Sequence, residues 1–417
     1  MRGDRPHSTL CSSTLELGID IGNVIKVGQV GVPWSVASQV QRLGRSGRRD
    51  DEPSIMLVYL KEQDLPPSSA LVDRIRPNLL QAIALTELML EHWIEPPRIQ
   101  ELDFSTMVQQ TLSALVERGG ATAPELFECL VARGAFAGVE PRQFAELLRC
   151  LANHDLIEQT PDGDLILGLK GEVIVRSYEF YSAFLTPPEY DVVHGGNSIG
   201  SLPSSIRLPE PGGHFLLGGR RWEVVEIDTK RQQILVQVAK KRKRPEFTDS
   251  SGEIHTVVRR KMRDMLLNDK QVAYLNSEAN DWLDSARKSA RESGLGNSQW
   301  VSHDHDSCEL YPWVGSRTMT TMVLLARFAK LDVSAIPDRK PPIALSFSIR
   351  QSDVADALGR ALLSCPTAEE LAAILPFKHL RKYDVYLSDQ LLHRNLAESA
   401  LDLPEAVAVL RVLVESW

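Results

Sequence analysis

The sequence predicts a multidomain protein that mixes α/β and α+β architecture. Three observations carry this. Residues 1–65 run strand, turn, helix, strand, the rhythm of a parallel sheet. Residues 105–170 hold three segments of helical period followed by a hairpin pattern. Residues 171–270 are short apolar strands between Gly and Pro turns, and 293–417 returns to mixed helix and strand.

The elements follow in order. Ser8–Ser13 reads as a short strand leading into a turn at Thr14–Asp20, and Val24–Val32 as a second strand. Ser35–Leu43 reads as a helix, opened by Pro33 with Ser35 as N-cap. Ile55–Leu60 is a continuous apolar run of the buried-strand kind. A doubly wound domain needs several βα units, and only about two strands precede Trp34. The chain is therefore expected to open inside a domain, with Met1 an internal methionine or the start of a truncated gene. Residues 66–104, an apolar helix (Leu79 to Trp93) between Pro66-Pro67 and Pro96-Pro97, read as a helical connector.

Within 105–170 the first helix, Ser105–Arg118, ends at Gly119-Gly120. The second opens on a capping box, Thr122 with Glu125, and has Pro124 in its first turn. The third runs from Pro141 to Asn153 with Phe144, Leu147, Leu148 and Leu151 on one stripe. A hairpin over 156–167 completes a winged-helix pattern. Its third helix offers only Arg142 and Arg149 for nucleic acid, a poor set for reading bases. DNA contact and a structural spacer or strand guide both remain open for this module.

Strands are expected at Glu172–Phe180, Tyr190–Val193, Phe215–Leu217, Trp222–Ile227 and Ile234–Val238, with Trp222 and Val224 on one face. Residues 240–270 then carry ten basic residues against five acidic ones, a local balance of +5 in a chain of net charge −8. Its densest run is Lys240, Lys241, Arg242, Lys243 and Arg244. This is the electrostatic footprint of a phosphate-backbone contact; a solvated hairpin face or a localisation-like basic run is the alternative. A long helix over Lys270–Glu292, a loop at Leu310–Ser316 running into an apolar helix, a strand at Pro341–Ile349, a capped helix at Thr367–Leu375 and a last helix at Pro404–Trp417 complete the chain.

Composition is that of an ordinary water-soluble domain protein, 43% apolar and 24% charged, with pI about 5.8. Any nucleic-acid surface must be local. The five cysteines (Cys11, Cys129, Cys150, Cys308, Cys365) form no CxxC pair, which argues against zinc and disulfides and fits a reducing cytoplasm. There is no apolar run long enough for a membrane span and no signal-peptide pattern. His303-Asp304-His305-Asp306 with Cys308 has metal-ligand residue types, but neighbours in a strand point to opposite faces, so an exposed polar loop and no metal is expected.

The chemistry concentrates near the start. Gln41-Arg42-Leu43-Gly44-Arg45-Ser46-Gly47-Arg48-Arg49 sets Arg45 and Arg48 three apart, each beside a glycine. Guanidinium stays charged at any pH and forks onto phosphate oxygens. Glycine lets backbone approach a ligand or take a strained turn. Two such arginines point to a polyphosphate clamp of the arginine-finger kind.

This segment, together with Ser13-Thr14-Leu15-Glu16-Leu17-Gly18-Ile19-Asp20-Ile21-Gly22, resembles motifs VI and V of superfamily 2 helicases, in the Lhr-type (large helicase-related) branch. The Gly-Arg-Arg-Trp strand pair around Trp222 and the Tyr311-Pro-Trp-Val-Gly-Ser-Arg317 segment resemble that branch's C-terminal module, with Tyr311 where it has phenylalanine. The resemblance covers essentially the whole chain. It implies a partial second RecA-like domain at 1–65, the connector at 66–104, the winged helix at 105–170 and an Lhr-type β-rich and αβ module at 171–417. It implies that Arg45 and Arg48 stabilise charge on the transferring γ-phosphoryl and that Gln41 links that site to the first RecA-like domain. Gly18 and Asp20 then lie near the nucleotide sugar and the domain cleft, Gly44 is a further cofactor-binding position, and Ser13 and Thr14 contact the nucleic-acid backbone. It implies ATP and Mg²⁺ as cofactors of the intact enzyme, single-stranded DNA or an RNA–DNA hybrid as partner, 3′–5′ translocation and a role in DNA repair.

The largest departure from that family is that the sequence contains no GxxxxGK[ST] P-loop, and Asp50-Asp51-Glu52 lies in a polar turn rather than at the end of an apolar strand. The chain alone is expected neither to bind nucleotide tightly nor to hydrolyse it, and to need a chain carrying the first RecA-like domain. A non-catalytic nucleic-acid-binding protein, the partner half of a split helicase and a gene remnant are the other readings.

Overall fold

The computed structural model describes residues 8–11, 24–47, 53–66, 68–98, 101–184, 189–203, 211–229, 231–239, 252–303, 306–337, 341–375 and 381–415. They form two compact units, one from Met1–Glu101, Gly252–Leu375 and Leu396–Trp417, the other from Leu102–Ser251 and Pro376–Asn395.

The first unit is assembled around helix Pro77–Leu90. Leu79, Leu80, Ala82, Ile83, Ala84, Leu85 and Leu88 are all buried, so the helix is apolar around most of its circumference and must be enclosed. Burying each large aliphatic side chain stabilises the fold by about 1.5–3 kcal/mol. The enclosing elements come from both ends of the unit. Val36 from helix Val36–Leu43, Val258, Met262 and Met265 from helix Thr256–Leu267, and Leu283 and Ala286 from helix Ser277–Glu292 share this core with Tyr311 and Trp313. The stretch that the paired prolines mark as a connector thus contains the central helix of this unit.

Strand Lys26–Val30 pairs in parallel with Ile55–Tyr59, as strand–helix–strand patterning predicts, with Lys26 opposite Ile55. A second sheet, among the described residues, runs in the order Trp300–His303, Ser307–Leu310, Ala344–Phe347, Val333–Ile336, with antiparallel pairings throughout. The Tyr311–Arg317 segment is structural, with Tyr311 and Trp313 in the core. A Cβ on Gly315 would lie 2.7 Å from the Thr256 amide nitrogen, so only glycine fits there. The Gly315 amide donates to Thr256 Oγ1 at 2.9 Å, and Arg317 reaches the Leu401 carbonyl.

In the second unit, helices Phe104–Arg118, Ala123–Phe127 and Pro141–Asn153 precede a hairpin, Ile157–Gln159 with Leu165–Leu167. The Thr122–Glu125 capping box forms as its spacing predicts. Strands Asn197–Pro203, Glu189–His194, Gln233–Val238, Arg220–Asp228 and His214–Leu217 make a five-stranded sheet in that order. Its core contains Trp222 and Val224, which share the buried face as expected.

Several expectations need correction. Glu172–Phe180 is not a strand: helix Leu169–Arg176 and a 3₁₀ turn, Tyr178–Tyr181, occupy it. Val173-Ile174-Val175 favours a strand locally, but the segment is helical in the fold, with Gly171 set against the Leu156 carbonyl where a Cβ would approach to 2.1 Å. The helix expected from Lys270 starts at Ser277, capped by Asn276, and a separate helix, Thr256–Leu267, precedes it. Residues 8–11 carry no strand, and residues 12 and 13 lie outside the described set.

Helix Thr256–Leu267 is capped by a histidine: His255 Nδ1 accepts from the Val257 amide at 3.1 Å, and the ring lies tilted against Trp93 with centroids 5.3 Å apart. Burial pushes the His255 pKa below its ordinary 6.5, and Arg98 acts the same way, against the opposing pull of Glu95, Glu405 and Glu253. The folded chain therefore holds the neutral ring while the unfolded chain takes up a proton near 6.5. Stability should fall as pH drops below that value, and this component should vanish in His255→Asn, which keeps a capping side chain. Urea midpoints of both proteins from pH 7.5 to 5.5 test this.

Candidate functional site

The arginine-bearing turn is the corner between helix Val36–Leu43 and strand Ile55–Tyr59. The helix is fixed at its start. Ser35 caps it by accepting from the Ser38 amide at 3.1 Å. Glu95, 59 residues on, accepts from the Val36 and Ala37 amides at 2.8 and 3.0 Å. Two of the four unsatisfied N–H groups of the first turn are thereby met by a carboxylate, the charge that a helix N-terminus favours. Gln81 donates to the Pro33 carbonyl at 2.9 Å and Gln39 to Thr86 Oγ1 at 3.1 Å, so the central helix grips the same end.

The corner itself is tied by Ser46. Its buried hydroxyl donates to the Leu43 carbonyl (3.0 Å) and accepts from the Ile55 amide (3.1 Å), while Ser54 Oγ donates to the Ser46 carbonyl at 2.8 Å. Gly47 takes φ +64°, the left-handed region in which a Cβ is strained, whereas Gly44 at φ −64° does not need to be glycine for its conformation. Arg42 donates to Gln29 Oε1 at 2.6 Å, which joins the helix to the neighbouring strand. Arg45 is half-buried on this corner, and Gln41 and Gly44 are exposed beside it. Arg48, and with it Ser13, Thr14, Gly18 and Asp20, lies outside the described residues.

The other sequence-predicted residues separate into groups. Lys240, Lys241, Arg242, Lys243 and Arg244 lie outside the described set. The remaining basic residues of 240–270 are largely used inside the first unit. Arg259 is buried, its pKa pushed down to about 9 by burial, and donates to the Pro341 and Pro342 carbonyls. Arg260 pairs with Glu405 (2.6 Å), Lys261 with Glu91 (2.8 Å) and Lys270 with Glu87. Arg142 and Arg149 are exposed on helix Pro141–Asn153, with Arg142 2.8 Å from Glu140. Of the histidine cluster, His303 Nε2 lies 3.3 Å from Glu309, and burial pushes the Cys308 thiol up to about 11. Among the described residues no group of three or more His, Cys, Asp or Glu is placed to hold a metal. No described helix is long and apolar enough to cross a membrane.

Residues 3–50, which span both motif segments, match the helicase conserved C-terminal domain family. The Lhr helicase/uracil glycosylase of Escherichia coli is 24% identical over 250 residues, 55% of this chain and 15% of that protein. The ATP-dependent helicase Lhr-Core of Saccharolobus solfataricus is 24% identical over 238 residues, 55% of this chain and 25% of its own length. The chain resembles the C-terminal portion of the Lhr-type superfamily 2 helicases. The fold agrees: the structure of Mycobacterium smegmatis helicase Lhr bound to ssDNA and AMP-PNP is similar with a TM-score of 0.54 at 16% identity, over 97% of this chain and 55% of that one. The aligned stretches span a quarter or less of these curated relatives.

Around this corner, Glu95, Ser46 and Gln29 escape sequence reasoning. Ser46 lies between the two glycine-flanked arginines, where its small size and hydroxyl were the available signal. Glu95 carries none, since a cap supplied from 59 residues away leaves no spacing pattern. Replacing it tests its role. Glu95→Ala should lower stability by about 1–3 kcal/mol, as expected for lost charge-assisted bonds that leave part-buried amides unmet. Glu95→Gln should lose less. Denaturant unfolding of the full chain measures both.

Proposed function

We propose that this chain supplies the second RecA-like face and the strand-binding modules of an ATP-dependent DNA helicase, a 3′–5′ single-strand translocase when intact. One observation chiefly supports this reading. The corner that presents Arg45 is tied by Ser46, turned by Gly47 and backed by a capped helix, all within the stretch that matches the helicase domain. A charge-stabilising arginine works only if its position is set before the reaction. Phosphates and Mg²⁺ need a P-loop, which these residues do not include, so in this reading the arginines act on a nucleotide held by another RecA-like face.

In this reading Arg45 and Arg48 neutralise charge on the transferring phosphoryl group, and Gln41 relays the state of that site to the opposing face. Gly18, Asp20 and Gly44 border the nucleotide, while Ser13 and Thr14 grip the strand's phosphates. Helices Phe104–Arg118, Ala123–Phe127 and Pro141–Asn153 with their hairpin serve as a winged helix that guides the strand, with Arg142 and Arg149 toward its backbone. Lys240–Arg244 adds a salt-sensitive contact. ATP and Mg²⁺ belong to the assembled enzyme, and single-stranded DNA or an RNA–DNA hybrid is the track.

The test is complementation. The chain is mixed with a separate chain carrying the P-loop face, and strand-stimulated ATP hydrolysis is measured. Activity should appear only in the mixture, and Arg45→Ala should lower kcat by about 10³–10⁵, the span known for arginine fingers. Activity in the mixture that is indifferent to Arg45→Ala would overturn the assignment.

A further inference from the structure

The turn after helix Leu169–Arg176 keeps its backbone fixed and its side chains in solvent. Ser177 Oγ accepts from the Glu179 amide at 3.3 Å, and Ser182 Oγ from the Phe184 amide at 3.2 Å. Gln109, a buried side chain of helix Phe104–Arg118, donates to the Phe180 carbonyl at 2.6 Å. Lys382 donates to the Ser182 carbonyl at 2.8 Å and to that of Glu179. Two side chains from distant parts of the unit thus hold a single short turn. Yet Tyr178, Tyr181 and Phe184 are 82%, 91% and 83% exposed. Large aromatic side chains are normally a main source of buried area, so three left outside a pinned turn are an expensive arrangement unless something covers them.

The turn geometry indicates what. Tyr178–Tyr181 is 3₁₀, in which residues i and i+3 eclipse with a rise of about 2.0 Å each. Tyr178 and Tyr181 therefore project from one face, about 6 Å apart along the axis. Stacked bases on a DNA strand repeat at about 3.4 Å. Bases meeting these rings are consequently spread from one another, as in an unpaired strand rather than a duplex. The flank is apolar and offers a guanidinium. Leu169 and Val173 are exposed on the preceding helix, and Arg176 is paired only across the surface with Glu172 at 2.8 Å. An exposed pair of that kind is weak, so a phosphate can take the guanidinium from it.

We propose that Tyr178, Tyr181 and Phe184 form a stacking platform for unpaired nucleobases, tolerant of sequence because every base has a π-face. This rests on reading the chain as a strand-binding part of a helicase, and it adds a site that the basic residues do not supply.

The experiment uses the full chain and fluorescence anisotropy with a labelled oligothymidylate and an abasic oligonucleotide of equal length. Tyr178→Ala with Tyr181→Ala should weaken oligothymidylate binding by roughly 5- to 150-fold per ring. Tyr178→Phe with Tyr181→Phe should bind as the unaltered chain does. The abasic strand should bind the unaltered chain about as weakly as oligothymidylate binds the alanine pair. Undiminished binding by the alanine pair, with the salt slope intact, would overturn the platform while leaving the strand-binding reading standing. Unchanged binding with an altered sedimentation coefficient would assign the aromatic face to a protein contact and also overturn it. No binding of either strand by the unaltered chain at low salt would sink the underlying reading and the platform together.

Discussion

Enclosure of helix Pro77–Leu90 governs the first unit. A helix with Leu79, Leu80, Ile83, Ala84, Leu85 and Leu88 buried is apolar around most of its circumference, so it is stable only where other elements surround it. On one side it meets the helix that leads to Arg45, through Gln81 to the Pro33 carbonyl, Gln39 to Thr86 and the Glu95 cap. On the other it meets helices Thr256–Leu267 and Ser277–Glu292. There Glu87 receives Lys270 and the Tyr274 hydroxyl, and Glu91 receives Lys261. The position of the arginine corner therefore depends on residues far along the chain. Segments far apart in the sequence thus share one core, with Trp34 also lying directly against Gly252.

That dependence explains what the sequence discloses. Local signals are legible: the Ser35 cap, the Thr122–Glu125 and Thr367–Glu370 capping boxes, the parallel pairing either side of helix Val36–Leu43, and the buried Trp222 face. Each is encoded within a few residues. What misleads is non-local. The basic balance of residues 240–270 looks like one surface patch, but Arg259 is interior and Arg260, Lys261 and Lys270 pair with Glu405, Glu91 and Glu87. Charge counted along a chain does not show which charges meet an opposite one in space. The strand expected at Glu172–Phe180 fails for a related reason: β-branched composition reads locally, while the contact of Gly171 with the Leu156 carbonyl is set by the fold.

The candidate site is legible in chemistry and illegible in support. Arg45, Gly44 and Gly47 announce themselves by residue type and spacing. Only the geometry separates the two glycines, since Gly47 alone adopts a left-handed conformation. Nor does sequence reveal that Ser46 ties the corner to strand Ile55–Tyr59. These supports matter because electrostatic stabilisation of a transferring group draws its strength from donors already in place. A guanidinium on a loose loop would spend that advantage on ordering itself.

The central claim is that the arginine corner and the distant helical pair form one cooperative body through helix Pro77–Leu90. Native-state hydrogen exchange on the full chain tests it most directly. Amides of helix Val36–Leu43 and of helix Thr256–Leu267 should open with the same free energy. Leu80→Ala should lower both together by about 2–5 kcal/mol, the usual effect of a buried leucine deletion. Exchange of Val36–Leu43 through a separate, lower-energy opening that Leu80→Ala leaves unchanged would contradict the account.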